Sequence, residues 1–284
     1  DAEGVQPIDI VNKYHAEFLG YWEKLGISWD NYTTTMTDTH IEVVHDVFNN
    51  LLEKGLIDKQ KSLQAYDASE DRFLPDRYVE GVCPHCEYKE ARGDQCDNCS
   101  KTLDPEELIN PISKLSGNKA EFKETEHFFL KLTSLENELG NWLEQQEGWR
   151  PHVINWAKSF VKDGLQDRAI TRDLDWGIKI PVDDLGPGKK IYVWFEAVIG
   201  YLSASKEWAS LQGDSDSWKE WWENPEAESY YFIGKDNVPF HAVIWPSILL
   251  GYKGLNLPTN VPANQYILIK GEKASASRGV GKSL

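Results

Sequence analysis

No run of apolar residues in this sequence approaches the roughly 20 needed to span a bilayer, and there is no lipidation signal and no signal-like apolar start. With these absent, the chain reads as water-soluble and cytoplasmic. Positive charge is also scarce: 30 Lys and Arg stand against 46 Asp and Glu, for a net charge of −16. That balance excludes a coat protein held on nucleic acid by overall charge, while leaving room for one locally basic face. Methionine occurs once and cysteine four times, whereas tryptophan occurs 12 times. Indole-rich stretches such as WKEWW at 218–222 read as core or lid packing before base stacking.

The few cysteines are the most informative residues. Two residues lie between Cys83 and Cys86, two between Cys96 and Cys99, and nine between the pairs. Two such turns can bring four thiolates onto one ion, and Zn²⁺ with four sulfur ligands is a closed, structural site. The alternative is two disulfides, which the cytosolic character disfavours. Pro84, Gly81, Gly93, Asp97 and Asn98 are expected to supply the tight turns of a metal knuckle.

At 284 residues, 40% hydrophobic and 27% charged, the chain can bury one or two cores. A helical stripe (Ile10, Val11, Tyr14, Phe18, Trp22) runs through residues 8–25 and Gly26 closes it. A second helix is expected from a capping box at Thr39 and Glu42 through Val43, Val47, Phe48 and Leu51 to Gly55. Two amphipathic helices need a covering layer, and since the chain opens at Asp1 without an initiator Met, the expectation is that a preceding segment is missing. Between about 61 and 123 the pattern breaks into turns, Gly, Pro and charge, an insertion too thin in apolar residues to form its own core without metal. Helical stripes return at 135–146 and 152–163. The last third alternates apolar runs (KIYV at 190–193, YYFI at 230–233, QYILI at 265–269) with helical stretches, which predicts a parallel sheet. Ligands bind beyond the carboxyl ends of such strands. That directs attention to Trp194 and Ala197, to Gly234 and Asp236, and to Lys273.

Here the sequence resembles a family. YYFIGKDNVPFHAVIWPSILLG at 230–251 resembles the methionyl-tRNA synthetases, class I enzymes that activate methionine with ATP and load it onto tRNA. YVWFEAVIGYLS (192–203), FLPDRYVEG (73–81), DPEELINP (104–111), EHFFLKL (126–132) and ITRD (170–173) carry the same likeness in the same order. The resemblance implies an α/β class I fold: a Rossmann-like parallel sheet interrupted by a zinc-binding connective insertion. The divisions it implies are 1–60 for the remainder of the first nucleotide-binding half, 61–189 for the insertion with its knuckle at 83–99, 190–266 for the second half, and 267–284 for the start of an ATP-closing loop. It further implies a missing HIGH-type motif before Asp1 and a missing anticodon-binding domain after Leu284. Relatives carry one or two metal knuckles; 62–72 and 112–119 hold no cysteine, so one zinc ion is expected, shaping an insertion over the acceptor end of tRNA.

Residue by residue, the resemblance implies a methionine pocket of Trp194, Ala197, Tyr201, Asn237 and His241. A thioether suits an apolar slot with aromatic walls, and polar groups such as Tyr201 and His241 sharpen selection against leucine-like competitors. ATP, with Mg²⁺, would meet Gly234, Asp236 and Lys273, and Arg172 would hold a phosphate or carboxylate. Lys273, Ser275, Ser277 and Arg172 are the implied catalytic set. Where the family has Lys-Met-Ser-Lys-Ser, residues 273–277 read KASAS, so Ala276 replaces a lysine that stabilises pyrophosphate charge. Losing such a cation costs on the order of 10² to 10³ in rate; Lys273, Ser275, Ser277, Arg278 and Lys282 are the groups available to compensate. Smaller departures are Val198, where many relatives have Pro, and Glu196, where many have Asp. The alternatives are a synthetase for Leu, Ile, Val or Cys, an impaired paralogue or fragment acting in tRNA or protein binding, and a zinc-ribbon interaction module.

Overall fold

The computed structural model describes residues 4–99, 101–186, 188–270 and 272–274. It opens with helices α1 (Pro7–Lys24) and α2 (Asp38–Glu53), joined by a polar loop. None of α1's residues is buried, whereas α2 buries His40, Val43, Val44, Val47, Phe48 and Leu51. The cap of α2 differs from expectation. Thr37, in extended conformation, accepts the backbone N–H of His40, and Thr39 lies inside the helix, so the capping box at Thr39 and Glu42 does not form.

A long antiparallel ribbon follows. Strand β1 (Ile57–Asp67) pairs with β2 (Arg72–Phe73) on one side and β6 (Glu121–Leu130) on the other, and β6 also pairs with β7 (Arg168–Ala169). Beside it, β3 (Val79–Val82), β4 (Ala91–Arg92) and β5 (Ile109–Ser113) form a second sheet carrying the cysteines at its edge. Here the sequence expectation needs correction: this region does have a core, built from Ala65, Leu74, Val79, Ala91, Leu103, Leu108 and Ala120 together with Cys83 and Cys96. It was hidden because small residues and thiols supply much of it. Gly81 and Gly93 also act differently from turn formers. A Cβ on Gly93 would stand 2.6 Å from the Asp76 carbonyl oxygen, and one on Gly81 2.9 Å from that of Ile109. Both glycines permit close backbone approach.

Helices α3 (Glu136–Glu144) and α4 (Pro151–Lys162) come next and bury Leu139, Leu143, Val153 and Ala157 in the larger core, with α2. Then β8 (Thr171–Asp173) pairs antiparallel with β9 (Lys189–Ile191), which leads into α5 (Val193–Leu211) and the short α6 (Lys219–Trp222). Strand β10 (Ile233–Gly234) turns through a 3₁₀ segment (Lys235–Asn237) and a π-helical segment (Phe240–Ile244) into α7 (Trp245–Tyr252), and the chain returns to β11 (Ala263–Asn264), parallel to β10. Last, β12 (Leu268–Ile269) pairs antiparallel with β13 (Glu272–Lys273).

Of the three apolar runs expected to build one parallel sheet, YYFI alone leads into a parallel pair among the described residues, supported by a bridge between Tyr230 and Asn260. Connection decides this. A helical crossover joins β10 to β11 and imposes parallel pairing, whereas β8 and β9 lack a helical crossover and only two residues separate β12 from β13, so both pairs run antiparallel. Among the described residues no helix is long and apolar enough to cross a membrane.

Three rings tie the larger core together. Phe48 of α2, fully buried, meets Phe128 of β6 edge-on at 5.2 Å and Phe195 of α5 at 6.5 Å. Phe48→Ala is expected to lower the unfolding free energy by about 3 to 5 kcal/mol, read from urea denaturation. A loss below about 1 kcal/mol would show that the core closes without this ring.

Candidate functional site

Helix α5 and the segment between β10 and α7 form the two walls of the site. Trp194, Ala197 and Tyr201 recur at helical spacing on one face of α5. Trp194 lies flat on Phe240, ring centroids 3.9 Å apart and planes within 7°. Tyr201 meets the edge of Tyr231 at 4.8 Å, and its hydroxyl lies 2.7 Å from His241 Nε2. The structure thus brings Trp194, Ala197, Tyr201 and His241 to one pair of adjoining elements. Phe240 and Tyr231, which complete the aromatic cluster, were missed in the sequence although both lie in the block at 230–251.

Phe240 and His241 lie in the π-helical segment, where the Trp245 N–H reaches back five residues to the Phe240 carbonyl. Pro246 accounts for the widened turn, since it has no N–H for the carbonyl four residues back and its ring would crowd it.

Hydrogen-bond logic assigns the His241 tautomer. Nδ1 stands 2.9 Å from the Asn237 carbonyl oxygen, which can only accept, so Nδ1 carries the proton. Burial pushes the His241 pKa down, opposed by that same carbonyl, and keeps the ring neutral near pH 7. Nε2 is therefore an acceptor and the Tyr201 hydroxyl donates to it. Tyr201 is 38% exposed overall, but burial of its hydroxyl, with a contribution from Tyr231, pushes its pKa up to about 12. Asn237, named with the pocket residues, contributes its backbone carbonyl to this arrangement.

At the end of β10, Gly234 has a clear steric reason. A Cβ there would stand 2.8 Å from Asp236 Oδ1, so the carboxylate folds over the bare backbone. The Asp236 carbonyl accepts from Gln95 Nε2 at 3.4 Å, which links the cysteine lobe to this turn.

Arg172 is placed differently from expectation. Its Nε and Nη2 donate to the Asp76 carboxylate at 3.0 to 3.3 Å, and Nη1 donates to the Ala169 and Thr171 carbonyls at 3.0 Å. The guanidinium lies over the Tyr192 ring at 4.0 Å. Its fork is engaged within the protein rather than presented to an anion. Trp194 and Phe240, with Arg172, Asp76, Tyr192 and Ile170, line a cavity of about 60 Å³, large enough for a few atoms. A cleft of about 590 Å³ shares its Phe240, Ile244, Arg168 and Asp104 walls and extends past Trp156, Phe160 and Cys99. That volume is of ligand size. Tyr201 and His241 line neither hollow. Ser275 and Ser277, the side chain of Lys273, and Ala276, Arg278 and Lys282 lie outside the described residues.

The four cysteines are free and their sulfurs lie within 4.8 Å of one another. Cys83 and Cys99 sulfurs are 3.9 Å apart and those of Cys86 and Cys96 3.6 Å, far beyond a disulfide bond of about 2.05 Å. Metal–sulfur bonds of about 2.3 Å give a tetrahedral edge of about 3.8 Å, so the set fits one ion. Asn98, through its side chain, and the Tyr88 N–H hold Cys86 down to about 6, while burial pushes Cys96 up to about 12. A bound dication would offset the charge of four thiolates in that setting.

One measurement tests the tautomer assigned above. ¹⁵N NMR of the histidine rings should show His241 protonated at Nδ1 near pH 7, with a titration midpoint below about 6.5. An Nε2–H signal, or a midpoint above that value, would reverse the direction of the Tyr201 hydrogen bond.

Comparison with known proteins is consistent with this arrangement. A family model described as tRNA synthetases class I (M) matches residues 1–282. A methionine–tRNA ligase of Dehalococcoides mccartyi is 52% identical over 278 residues, covering 98% of this chain and 50% of the relative. One from Thermoplasma acidophilum is 49% identical over 284 residues, covering 100% of this chain and 52% of the relative. The structure of Mycobacterium tuberculosis methionyl-tRNA synthetase in complex with methionyl-adenylate superposes with a TM-score of 0.70 at 25% identity, covering 98% of this chain and 48% of that one. The chain spans about half the length of the curated relatives it matches. A family match running through both the cysteine lobe and the α5 and π-helix walls leaves one assignment: this chain belongs to the family of tRNA synthetases class I (M).

Proposed function

We propose that the protein bearing this chain activates methionine with ATP to methionyl-adenylate and transfers it to tRNA. The observation that carries this reading is the cluster in which Tyr201 donates to a neutral His241 while Trp194 stacks on Phe240 beside the Gly234–Asp236 turn. An aromatic wall suits a thioether, with sulfur–ring contacts of about 0.3 to 1.5 kcal/mol. A fixed hydroxyl and imidazole beside it favour a polarizable sulfur over an isosteric alkyl chain. The curated relatives carry the name methionine–tRNA ligase, and the M. tuberculosis neighbour holds methionyl-adenylate, which supports the same substrate.

ATP, with Mg²⁺, is assigned to the end of β10, where Gly234 lets the nucleoside approach and Asp236 is placed to accept from ribose hydroxyls. Arg172, tied to Asp76, would brace the pocket wall from behind rather than grip a phosphate. The ion held by Cys83, Cys86, Cys96 and Cys99 is assigned as zinc, which supplies no chemistry when bound and fixes the lobe that would lie over the acceptor end of tRNA. This role in protein synthesis carries a cytoplasmic location with it.

A second reading, an impaired paralogue that binds tRNA or a protein partner, is favoured by Ala276 in place of the family's lysine. ATP–pyrophosphate exchange separates the two. Exchange should depend on methionine and not on Leu, Ile, Val or Cys, and Tyr201→Phe or His241→Ala should lower kcat/KM for methionine by about 10- to 100-fold. No exchange with any amino acid would favour the second reading. Metal analysis should return one zinc per chain, and chelation should unfold the cysteine lobe at 74–120, read as partial loss of β-sheet circular dichroism, while leaving the helical signal of the larger core.

A further inference from the structure

Helix α5 carries two pairs of side chains with the same seven-residue spacing, on opposite faces. Trp194 and Tyr201 face the site. Glu196 and Ser203, each two residues further on, point about 200° away around the helix. On that far face His40 of α2 reaches both, with Nε2 2.8 Å from Glu196 Oε2 and Nδ1 2.7 Å from Ser203 Oγ. The carboxylate can only accept, so Nε2–H donates to it. Ser203 Oγ also lies 3.0 Å from the Gly200 carbonyl oxygen, and the His40 backbone is held by the Thr37 cap. All three side chains are buried.

A buried hydrogen-bonded pair of this kind contributes little net stability beyond apolar side chains of the same volume. Geometrically it does more. Two contacts two turns apart on one ring fix both the rotation of α5 about its axis and its position along it. A rotation of about 10° moves a side-chain tip about 6 Å from the axis by about 1 Å. A displacement of about 1 Å can cost on the order of 10²-fold in rate.

We propose that His40, Glu196 and Ser203 are positioning residues for the methionine site: they set the rotation of α5 that brings the Tyr201 hydroxyl to His241 and lays Trp194 on Phe240. The proposal rests on the methionine reading above. It assigns the buried network a role in substrate selection through α5, although none of its members lies on the site face.

The test uses the full-length enzyme and methionine-dependent ATP–pyrophosphate exchange. The double variant His40→Leu with Glu196→Leu replaces the pair by apolar side chains and leaves no charge buried alone. With a melting temperature near that of the unaltered enzyme, it should raise KM for methionine about ten-fold or more and leave KM for ATP within about two-fold, with the His241 ¹⁵N ring signals moved from their original positions. A folded double variant with unchanged KM for methionine, or with both KM values raised equally, overturns the proposal. Ser203→Ala removes one contact without unpairing a charge and covers the case in which the double variant does not fold. It should raise KM for methionine about three-fold with KM for ATP unchanged, and an unaltered value overturns the proposal. Absence of exchange in the unaltered enzyme overturns the methionine reading and this proposal together, whereas normal exchange with insensitive variants overturns the positioning role alone.

Discussion

The buried pair between Arg172 and Asp76 is the constraint on which the rest of the arrangement depends. Burial alone would disfavour the charge on Arg172, but Asp76 beside it outweighs that cost and raises the guanidinium pKa above its ordinary value. Asp76 belongs to the cysteine lobe, Arg172 to β8 of the larger body, and Tyr192, under the guanidinium, is the residue at which α5 begins. One side chain therefore fixes three parts: the lobe, the β8–β9 pair and the start of the helix that carries Trp194 and Tyr201. Gly93 belongs to the same device, since its lack of a Cβ lets the lobe backbone close on the Asp76 carbonyl. Isolated buried charges are costly, so the pair holds its two sides in one register or loses several kcal/mol.

From that anchor the site is assembled by small, directional elements. The π-helical turn forced by Pro246 shifts the helical register so that Phe240 and His241 both serve the site, one by stacking and one by its ring nitrogen. The Asn237 carbonyl then selects the tautomer, and the tautomer decides that Tyr201 donates. Each step transfers a backbone feature into the chemistry of a side chain. The metal lobe enters this chain of cause through Gln95, next to a cysteine, which holds the Asp236 carbonyl.

Much of this was legible in the sequence. The cysteine spacing pointed to one cluster of four thiols, and the structure brings their sulfurs together at separations that fit a single tetrahedral ion. The stripes at 135–146 and 152–163 became α3 and α4 with ends moved by a few residues. Trp194, Ala197, Tyr201 and His241 were named through the family resemblance of the blocks at 192–203 and 230–251, and the structure places the first three on one face of α5 with His241 against Tyr201. The lobe's core was not legible, because five of its nine buried members are alanines and thiols, and its three leucines and one valine lie scattered from 74 to 108 without a period. Nor was the fate of Arg172, because a sequence does not distinguish an arginine that meets a ligand from one that meets an aspartate 96 residues away.

By itself, then, the sequence determined the local geometry of the protein: its two Cys-x2-Cys turns, its helices and their faces, and the family to which its motifs belong. These follow from residue types within a turn or two of one another, where covalent spacing and backbone sterics leave few choices. Tertiary structure alone decided the pairings across distance: β9 with β8 rather than in a parallel sheet, Arg172 with Asp76, and His40 with Glu196 and Ser203 over separations of 156 and 163 residues. Such contacts exist because packing brings the groups into low dielectric together, where an unpaired charge or donor is expensive and its partner is whichever complementary group the fold delivers.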